Sequence, residues 1–213
     1  MNDPNAFPPL ARRNLLAACA STLFLAGCGD SFSLIQPSSS PLALYRLQPE
    51  FHALDDAPRV DWQLVIARPY AMQSLDTERI ALVRGQTMDY YANAQWTDSV
   101  PRLIQSLLVE AFEQSGKIAA VGRETDGAHA DYTLASELRD FTAHFDSDNG
   151  APGVVVAMRA KLVTARGEVV ASLGATHTAQ AAQNSVASTV EAFDQALGAV
   201  LEQIVGWALR AKP

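Results

Sequence analysis

Residues 98–116 read DSVPRLIQSLLVEAFEQSG, and the architecture of the chain can be worked out from this segment. Its apolar residues recur at steps of three and four, the period of one face of an α-helix. Asp98 or Ser99 can cap the start, Pro101 suits the first turn, and Gly116 suits the end. The apolar positions are Val100, Leu103, Ile104, Leu107, Leu108, Ala111 and Phe112. The pattern therefore predicts a helix with one face in a core.

Strand-like segments, short and rich in apolar or β-branched residues, lie on both sides of this helix. Two of them flank Gly85-Gln86 and read as a hairpin. The predicted strands are 42–47, 62–67, 80–84, 87–91, 118–121, 131–145, 153–164 and 168–178. A turn at 148–150 and another at 166–167 separate the last three.

The C-terminal segment from Ser188 has a second helical pattern, and Ser188 with Glu191 matches a capping box. Its apolar face consists of Val190, Phe193, Leu197, Val200, Leu201, Ile204 and Ala208. The fold predicted is a layered α/β domain, a mixed sheet of five or more strands packed by two long amphipathic helices.

Composition limits the function. The chain has 213 residues, 48% of them hydrophobic, which is enough for one sizeable core. Its formal net charge of -7 leaves no broad basic surface, so nucleic acid is not an expected partner. A mean hydropathy of +0.02 excludes a multispan membrane protein.

The N-terminus is typical of an export signal. Arg12-Arg13 precede 12 uncharged, mostly apolar residues, Leu15 to Ala26. A helix of that length spans about 18 Å, short of the roughly 30 Å of a bilayer core, so it does not predict a transmembrane helix. Residues 11–16 also fit a twin-arginine signal, although a basic pair more often only orients a signal peptide.

The apolar run ends in Leu25, Ala26, Gly27 and Cys28, which together form a bacterial lipobox. In this interpretation residues 1–27 are a lipoprotein signal peptide, 28–41 a flexible tether rich in Ser and Pro, and 42–213 the folded domain. The Cys28 thiol is the predicted lipid attachment site. Two alternatives are a secreted protein with an incidental Cys and a buried apolar helix.

Cysteine usage supports the lipid anchor. The only other cysteine, Cys19, leaves with the signal, so the mature chain cannot form an internal disulfide. Removal of 27 residues leaves 186 of the 213, and the loss of Asp3, Arg12 and Arg13 takes the charge from -7 to -8. Two acyl chains, as in palmitate-type lipidation, hold a protein on a membrane durably.

Residues that commonly carry catalysis or bind cofactors do not occur at the required spacings. The four histidines, His52, His129, His144 and His177, have no metal-ligand spacing, and there is no G-x-S-x-G elbow or glycine-rich phosphate loop. Asp146–Gly150 opens like a calcium loop, but Ala157 replaces the bidentate Glu. We expect no enzyme activity, metal or cofactor.

Four aromatic residues are the candidate partner surface. Tyr70, Tyr90, Tyr91 and Trp96 cluster in sequence around the predicted hairpin and the entry to the first helix. Exposed aromatics suggest a partner, although a core position is the commoner explanation for any one of them. Tyr90 and Tyr91 must point to opposite faces of their strand.

Several short patterns carry a family resemblance. They are Pro69-Tyr70, Leu75-Asp76, Arg79-Ile80-Ala81, Trp96 ahead of Val100-Pro101-Arg102-Leu103-Ile104, Asp131-Tyr132-Thr133-Leu134 and Glu137-Leu138-Arg139-Asp140-Phe141. From Tyr45 through the C-terminal helix, the chain resembles the ABC-type transport auxiliary lipoproteins, the PqiC-like group.

The resemblance implies a lipid-anchored periplasmic α/β domain acting beside an ATPase, a permease and an MCE-domain protein that move lipids or other hydrophobic molecules across the envelope. It implies no catalytic residue. The predicted function is therefore an accessory component that docks. A stand-alone lipid-binding carrier with its own apolar cavity is the alternative, and an envelope hydrolase is a third. Gly29 follows Cys28 in place of a retaining Asp, which favours the outer membrane over the inner.

Overall fold

The structure is a computed structural model that describes residues 41–52, 54–127, 130–147 and 150–211. These residues form nine strands and two α-helices, with a short 3-10 helix at Glu124–Asp126. In chain order the elements are β1 (Ala43–Tyr45), β2 (Val60–Ile66), β3 (Tyr70–Ala71), β4 (Arg79–Arg84), β5 (Thr87–Trp96), α1 (Val100–Ser115), β6 (Ile118–Arg123), β7 (Tyr132–Phe145), β8 (Gly153–Thr164), β9 (Val169–Gln180) and α2 (Val186–Arg210).

The long strand β7 organises the curled mixed sheet. Along one edge it pairs antiparallel with β8, which pairs antiparallel with β9. Along its other edge it pairs in parallel with β2, then β3, then β4. Strand β2 continues to β6, and β4 continues through β5 to β1. The sheet therefore divides into two branches on one side of β7, and the predicted α/β domain with a mixed sheet is confirmed.

Helix α1 agrees with its prediction, except at the cap. Pro101 lies in the first turn, and Gly116 ends the helix in the left-handed conformation with its N–H donated to the Glu113 carbonyl. Ser99 is the N-cap residue, but its side chain makes no capping hydrogen bond. Asp98 instead accepts from the Ser99 N–H at 2.7 Å.

Helix α2 begins earlier than predicted. Its N-cap is Ser185, whose side chain accepts from the Ser188 N–H at 3.2 Å. The predicted capping box of Ser188 and Glu191 is wrong because Ser188 already lies inside the first turn, where its hydroxyl accepts from the Gln183 N–H. Buried runs such as Ala196–Gly198 also show that the helix buries more than a single apolar stripe.

The core lies between the helices and the inner face of the sheet. Its centre is an aromatic cluster in which Phe193 of α2 lies 5.3 Å from Trp96 of β5 and 4.5 Å from Phe141 of β7, measured between ring centroids. All three side chains are at most 1% exposed. Edge-to-face and offset ring contacts of this kind add to the burial of apolar area, so the cluster joins both strands to α2.

The sequence did not predict two elements, β3 and the 3-10 helix, and it placed several strand ends differently. Strand β5 continues past Tyr91 to Trp96, through Asn93 with φ 54°. Strand β1 is shorter than the predicted 42–47. The signal peptide, the lipobox, the tether up to residue 40, His129 and residues 148–149 of the predicted turn lie outside the described residues. None of the described helices has the combination of length and apolar character needed to cross a membrane.

Candidate interaction surface

We define the outer face as the face of β7, β8 and β9 opposite α2. Alternate residues of β8 point to opposite sides of the sheet. The inward set is at most 2% exposed and packs in the core: Val154, Val156, Met158, Ala160 and Leu162. The alternate set, which includes Arg159 and Lys161, therefore points to the outer face.

Two cations stand together on this face. Arg159 and Lys161 are both exposed, and neither side chain makes a hydrogen bond or ion pair with any other described residue. Glu137 is the cross-strand neighbour of Arg159, but its carboxylate contacts Arg139 at 3.4 Å instead. On β8 and β9 this face therefore carries two cations and no carboxylate, in a chain of formal charge -7.

The residues around the two cations are small. Strand β9 places Gly174 beside Arg159 and Ser172 beside Lys161, and both are exposed. A Cβ atom built on Gly174 would have no atom within 4 Å. On the other side, Tyr70 of β3 is in register with Glu137 and is 68% exposed. Tyr70, Glu137, Arg159 and Lys161 line a shallow cavity of about 210 Å³.

Strand β9 forms an edge of the sheet. Within the described part of the chain it pairs only with β8, so its other edge is unpaired over residues 169–180. The strand contains no charged residue and no proline. A register shift at Val170 disturbs its start, but the pairing is regular from Ala171 to Gln180.

The four predicted aromatic residues do not form one surface. Tyr70 is exposed on β3. Tyr90 is half-buried, with the Arg79 guanidinium 3.7 Å from its ring centroid and its hydroxyl donating to the Ser74 carbonyl at 3.1 Å. Trp96 belongs to the core, so its assignment to a partner surface is wrong; its inward position in β5 places the ring against Phe193.

Tyr91 points to the opposite side of β5 from Tyr90, as the strand geometry requires. Its hydroxyl lies 3.1 Å from the Thr189 hydroxyl of α2. Burial raises the pKa of Tyr91 above its ordinary value of 10.0, against a smaller opposing effect of the Thr189 hydrogen bond. Tyr91 is thus a neutral link between sheet and helix.

Three polar residues of β7 form a network that superficially resembles a catalytic triad. The Thr142 hydroxyl donates to Asp140 at 2.6 Å and lies 2.9 Å from Nε2 of His144, which is 3.5 Å from Asp140. In a triad the carboxylate and the nucleophile contact different ring nitrogens of the histidine. Here both contact Nε2, so Asp140 cannot orient His144 as a base for Thr142.

A second cavity, of about 400 Å³, lies where residues 48–52 cross α2. Four of its eight lining residues are carboxylates: Glu50, Glu191, Asp194 and Glu202. Desolvation raises the pKa of Asp194 to about 6, although the hydrogen bond from the Gln48 N–H opposes the rise. Among the described residues no group of three His, Cys, Asp or Glu side chains is arranged to hold a metal ion.

Comparison with known proteins identifies the family to which this chain belongs. Residues 45–205 match the family described as the ABC-type transport auxiliary lipoprotein component, and the chain belongs to that family. The family is one of lipoproteins, which points to the cell envelope, and its description connects it with ABC-type transport.

Individual proteins are also similar to this chain. The chain is 30% identical over 148 residues to the uncharacterized protein bll6063 of Bradyrhizobium diazoefficiens; the match covers 70% of this chain but only 40% of that relative. The crystal structure of protein XCC0632 from Xanthomonas campestris superposes with a TM-score of 0.73 at 31% identity, covering 78% of this chain and 94% of that one. The crystal structure of an uncharacterized protein, 13% identical, shares the fold with a TM-score of 0.60 and covers 80% and 97% of the two chains.

Sequence reasoning did not single out Arg159 and Lys161. The alternation of residues 153–164 already places both on one side of a strand, and this is the signal that could have found them. Which side stays uncovered depends on where α2 packs, and that contact joins parts of the chain that are far apart in sequence.

Proposed function

We propose that the chain is a lipid-anchored periplasmic component of an MCE-type ABC transport system that moves lipids or other hydrophobic molecules across the envelope. It acts by docking, without catalysis. Its partners are an MCE-domain protein with the permease and ATPase of the same system. The anchor is a lipid on Cys28, and the outer membrane is the favoured location because Gly29 stands where a retaining Asp would be.

The packed core is the observation that favours docking over a lipid carrier. A carrier needs an apolar cavity large enough for an acyl chain. The space between the sheet and α2 is instead filled by Trp96, Phe141 and Phe193, each at most 1% exposed. Four carboxylates are among the residues that line the cavity of about 400 Å³ at α2, and an acyl chain placed there would remove water from these charged groups at a cost.

Purification of the full-length lipoprotein from its own envelope in a mild detergent tests the proposal. We expect the MCE-domain protein to co-purify, and we expect Cys28→Ser to move the chain from the membrane fraction to the soluble one. Mass spectrometry of the wild-type N-terminus should find a diacylglyceryl group on Cys28. A chain that carries no lipid, or that is extracted without any envelope transport protein, would contradict the proposal.

The carrier alternative has its own test. Delipidated protein is mixed with phospholipid vesicles and recovered by gel filtration, and the bound phospholipid is counted. We expect no stoichiometric uptake because the core is already filled. One lipid per chain would favour the carrier.

A further inference from the structure

The unpaired edge of β9 is unusual for a surface that faces only water. An edge strand exposes a row of backbone N–H and C=O groups, and soluble proteins normally protect it by shortness, charged side chains, proline or bulges. From Ala171 to Gln180 the strand has no charged residue, no proline and no register shift. Ten residues of regular, unprotected edge are enough to pair with another extended segment.

The neighbouring side chains indicate the charge of that segment. Arg159 and Lys161 lie one strand in from the edge and have no partner among the described residues. Their cross-strand neighbours on β9 are Gly174 and Ser172, whose small size leaves the way to the edge open. Both long side chains can therefore extend over β9 and reach a strand added beside it.

Charge also decides between the possible occupants. A second copy could pair β9 with β9, but this strand carries no carboxylate to meet Arg159 and Lys161. An extended segment with acidic residues on the outer face would satisfy both the backbone edge and the two cations. Exposed opposite charges add specificity and increase the rate of association.

We propose that the edge of β9 docks an extended acidic segment of a partner protein, which adds to the sheet as a further strand with its carboxylates over Arg159 and Lys161. The proposal deepens the docking function proposed above and rests on it. It assigns the chemistry of the contact: backbone pairing supplies affinity, and the two cations select the partner.

The test uses the full-length lipoprotein in a non-ionic detergent and a fluorescent ten-residue peptide in which Glu alternates with Thr. Such a peptide places all its carboxylates on one face when extended. Fluorescence anisotropy should show binding that weakens as NaCl is added. A matched peptide with Gln for Glu should bind at least about fivefold more weakly, the size expected for loss of two exposed charge pairs.

Protein variants locate the contact. The double variant Arg159→Gln/Lys161→Gln should weaken binding of the Glu peptide by about fivefold and leave binding of the Gln peptide unchanged. The double variant Arg46→Gln/Arg59→Gln is the matched control, because Arg46 just after β1 and Arg59 in the loop before β2 are both exposed cations. Equal effects at both places would show a general charge effect and overturn the proposal.

N-methylated peptides test the backbone pairing without altering the protein. One carries N-methyl groups on its Glu residues and the other on its Thr residues, so that opposite edges of the peptide lose their donors. Binding of one should be lost and binding of the other retained. If both bind, or neither binds, pairing with the β9 edge is wrong.

Other occupants would be recognised by different results. Self-association in sedimentation, competed by the peptide, would identify a second copy on β9 and overturn the proposal. Binding to anionic vesicles that depends on Arg159 and Lys161 and is tighter than binding to the peptide would also overturn the proposal.

If the peptide binds as described but no transport protein co-purifies, the site stands and the proposed function fails. If transport proteins co-purify unchanged with the double variant and the peptide does not bind, only the site is wrong.

Discussion

The carboxylate of Asp194 accepts a hydrogen bond from the backbone N–H of Gln48 at 2.7 Å, across 146 residues of sequence. Eight residues along the same helix, Glu202 accepts from Nδ1 of His52 at 2.7 Å and also from the His52 backbone N–H. Residues 48–52 are thus fastened to α2 at two points. Gly198, midway between them, allows the backbone of Glu50 to approach the helix closely.

Because Asp194 is ionisable, the stability that this contact gives to the folded protein depends on pH. Its pKa is raised from 3.8 to about 6 by desolvation, so the folded protein binds the proton more tightly than the unfolded chain. Protonation of Asp194 therefore stabilises the folded state; this stabilisation is complete below about pH 3.8 and is lost as the pH rises through about 6. We expect Asp194→Asn, which keeps an oxygen for the Gln48 N–H, to raise the free energy of unfolding at pH 7.5 by about 0.5–1 kcal/mol, a value reduced for partial exposure.

Urea unfolding at several pH values measures this effect. The wild type and Asp194→Asn should converge below about pH 3.8, where the carboxyl group is largely protonated in both the folded and the unfolded state. A variant that is less stable than the wild type at pH 7.5 would mean that the charge strengthens the hydrogen bond more than desolvation opposes it.

Gly198→Ala should destabilise the protein. The added Cβ would lie 2.9 Å from the carbonyl oxygen of Glu50, and backbone cannot move aside as easily as a side chain. We expect a loss of about 1–3 kcal/mol, in spite of the better helix propensity of Ala. Gly206→Ala is the control, because its Cβ would meet the flexible end of Arg210 at 3.0 Å and Leu54 at an ordinary contact distance of 3.8 Å, and no backbone. Thermal unfolding should show Gly206→Ala unchanged or more stable; equal losses for both would contradict the explanation.

Phe193→Ala should cost about 3–5 kcal/mol of unfolding free energy, because it removes the ring that contacts both Trp96 and Phe141 and leaves a cavity. Phe193→Leu fills part of that space and should cost less. Guanidinium unfolding followed by tryptophan fluorescence is a suitable measurement, since Trp96 lies against the substituted ring. A loss below about 1 kcal/mol for Phe193→Ala would show that the aromatic cluster is not the centre of the core.

Gln105→Leu should destabilise the junction of α1 and β2. The buried Gln105 side chain donates to the Ile66 carbonyl at 2.9 Å, and its loss leaves that oxygen without this donor. We expect a cost of about 1–3 kcal/mol. Gln114→Leu removes a comparable side-chain hydrogen bond, to Glu110 at 3.0 Å, from the exposed side of the same helix and should cost at most about 0.5 kcal/mol. Chemical denaturation of the two variants side by side checks the difference.

Local sequence signals predicted the helices better than the sheet. Gly116 ends α1 as expected, because a left-handed C-cap depends only on neighbouring residues. The start of α2 was missed since Ser185 and Ser188 are both plausible caps, and packing determines which one is used. Strand β3 has two residues and exists only through its pairing with β7, so no periodicity could show it.

The candidate surface was harder to predict for the same reason. Tyr70 and Trp96 are both aromatic residues next to predicted elements, but one is 68% exposed and the other 1% exposed. Their difference arises from contacts with β7 and α2 that are distant in sequence. The lipobox ending at Cys28 is a local pattern, and it stays a prediction because it lies outside the described residues.

The chain enters the folded body through β1, which lies parallel to β5 with Ala43, Leu44 and Tyr45 opposite Ala94, Gln95 and Trp96. A pull on the leading end of such a strand, along its axis, makes it slide past its neighbour, so the rungs of the ladder resist together instead of opening one by one. The contacts of Gln48 and His52 with α2, which follow β1 along the chain, would also resist the pull. Tension from the proposed lipid anchor, when it acts along β1, would therefore load this ladder in shear, and the contacts with α2 would resist next.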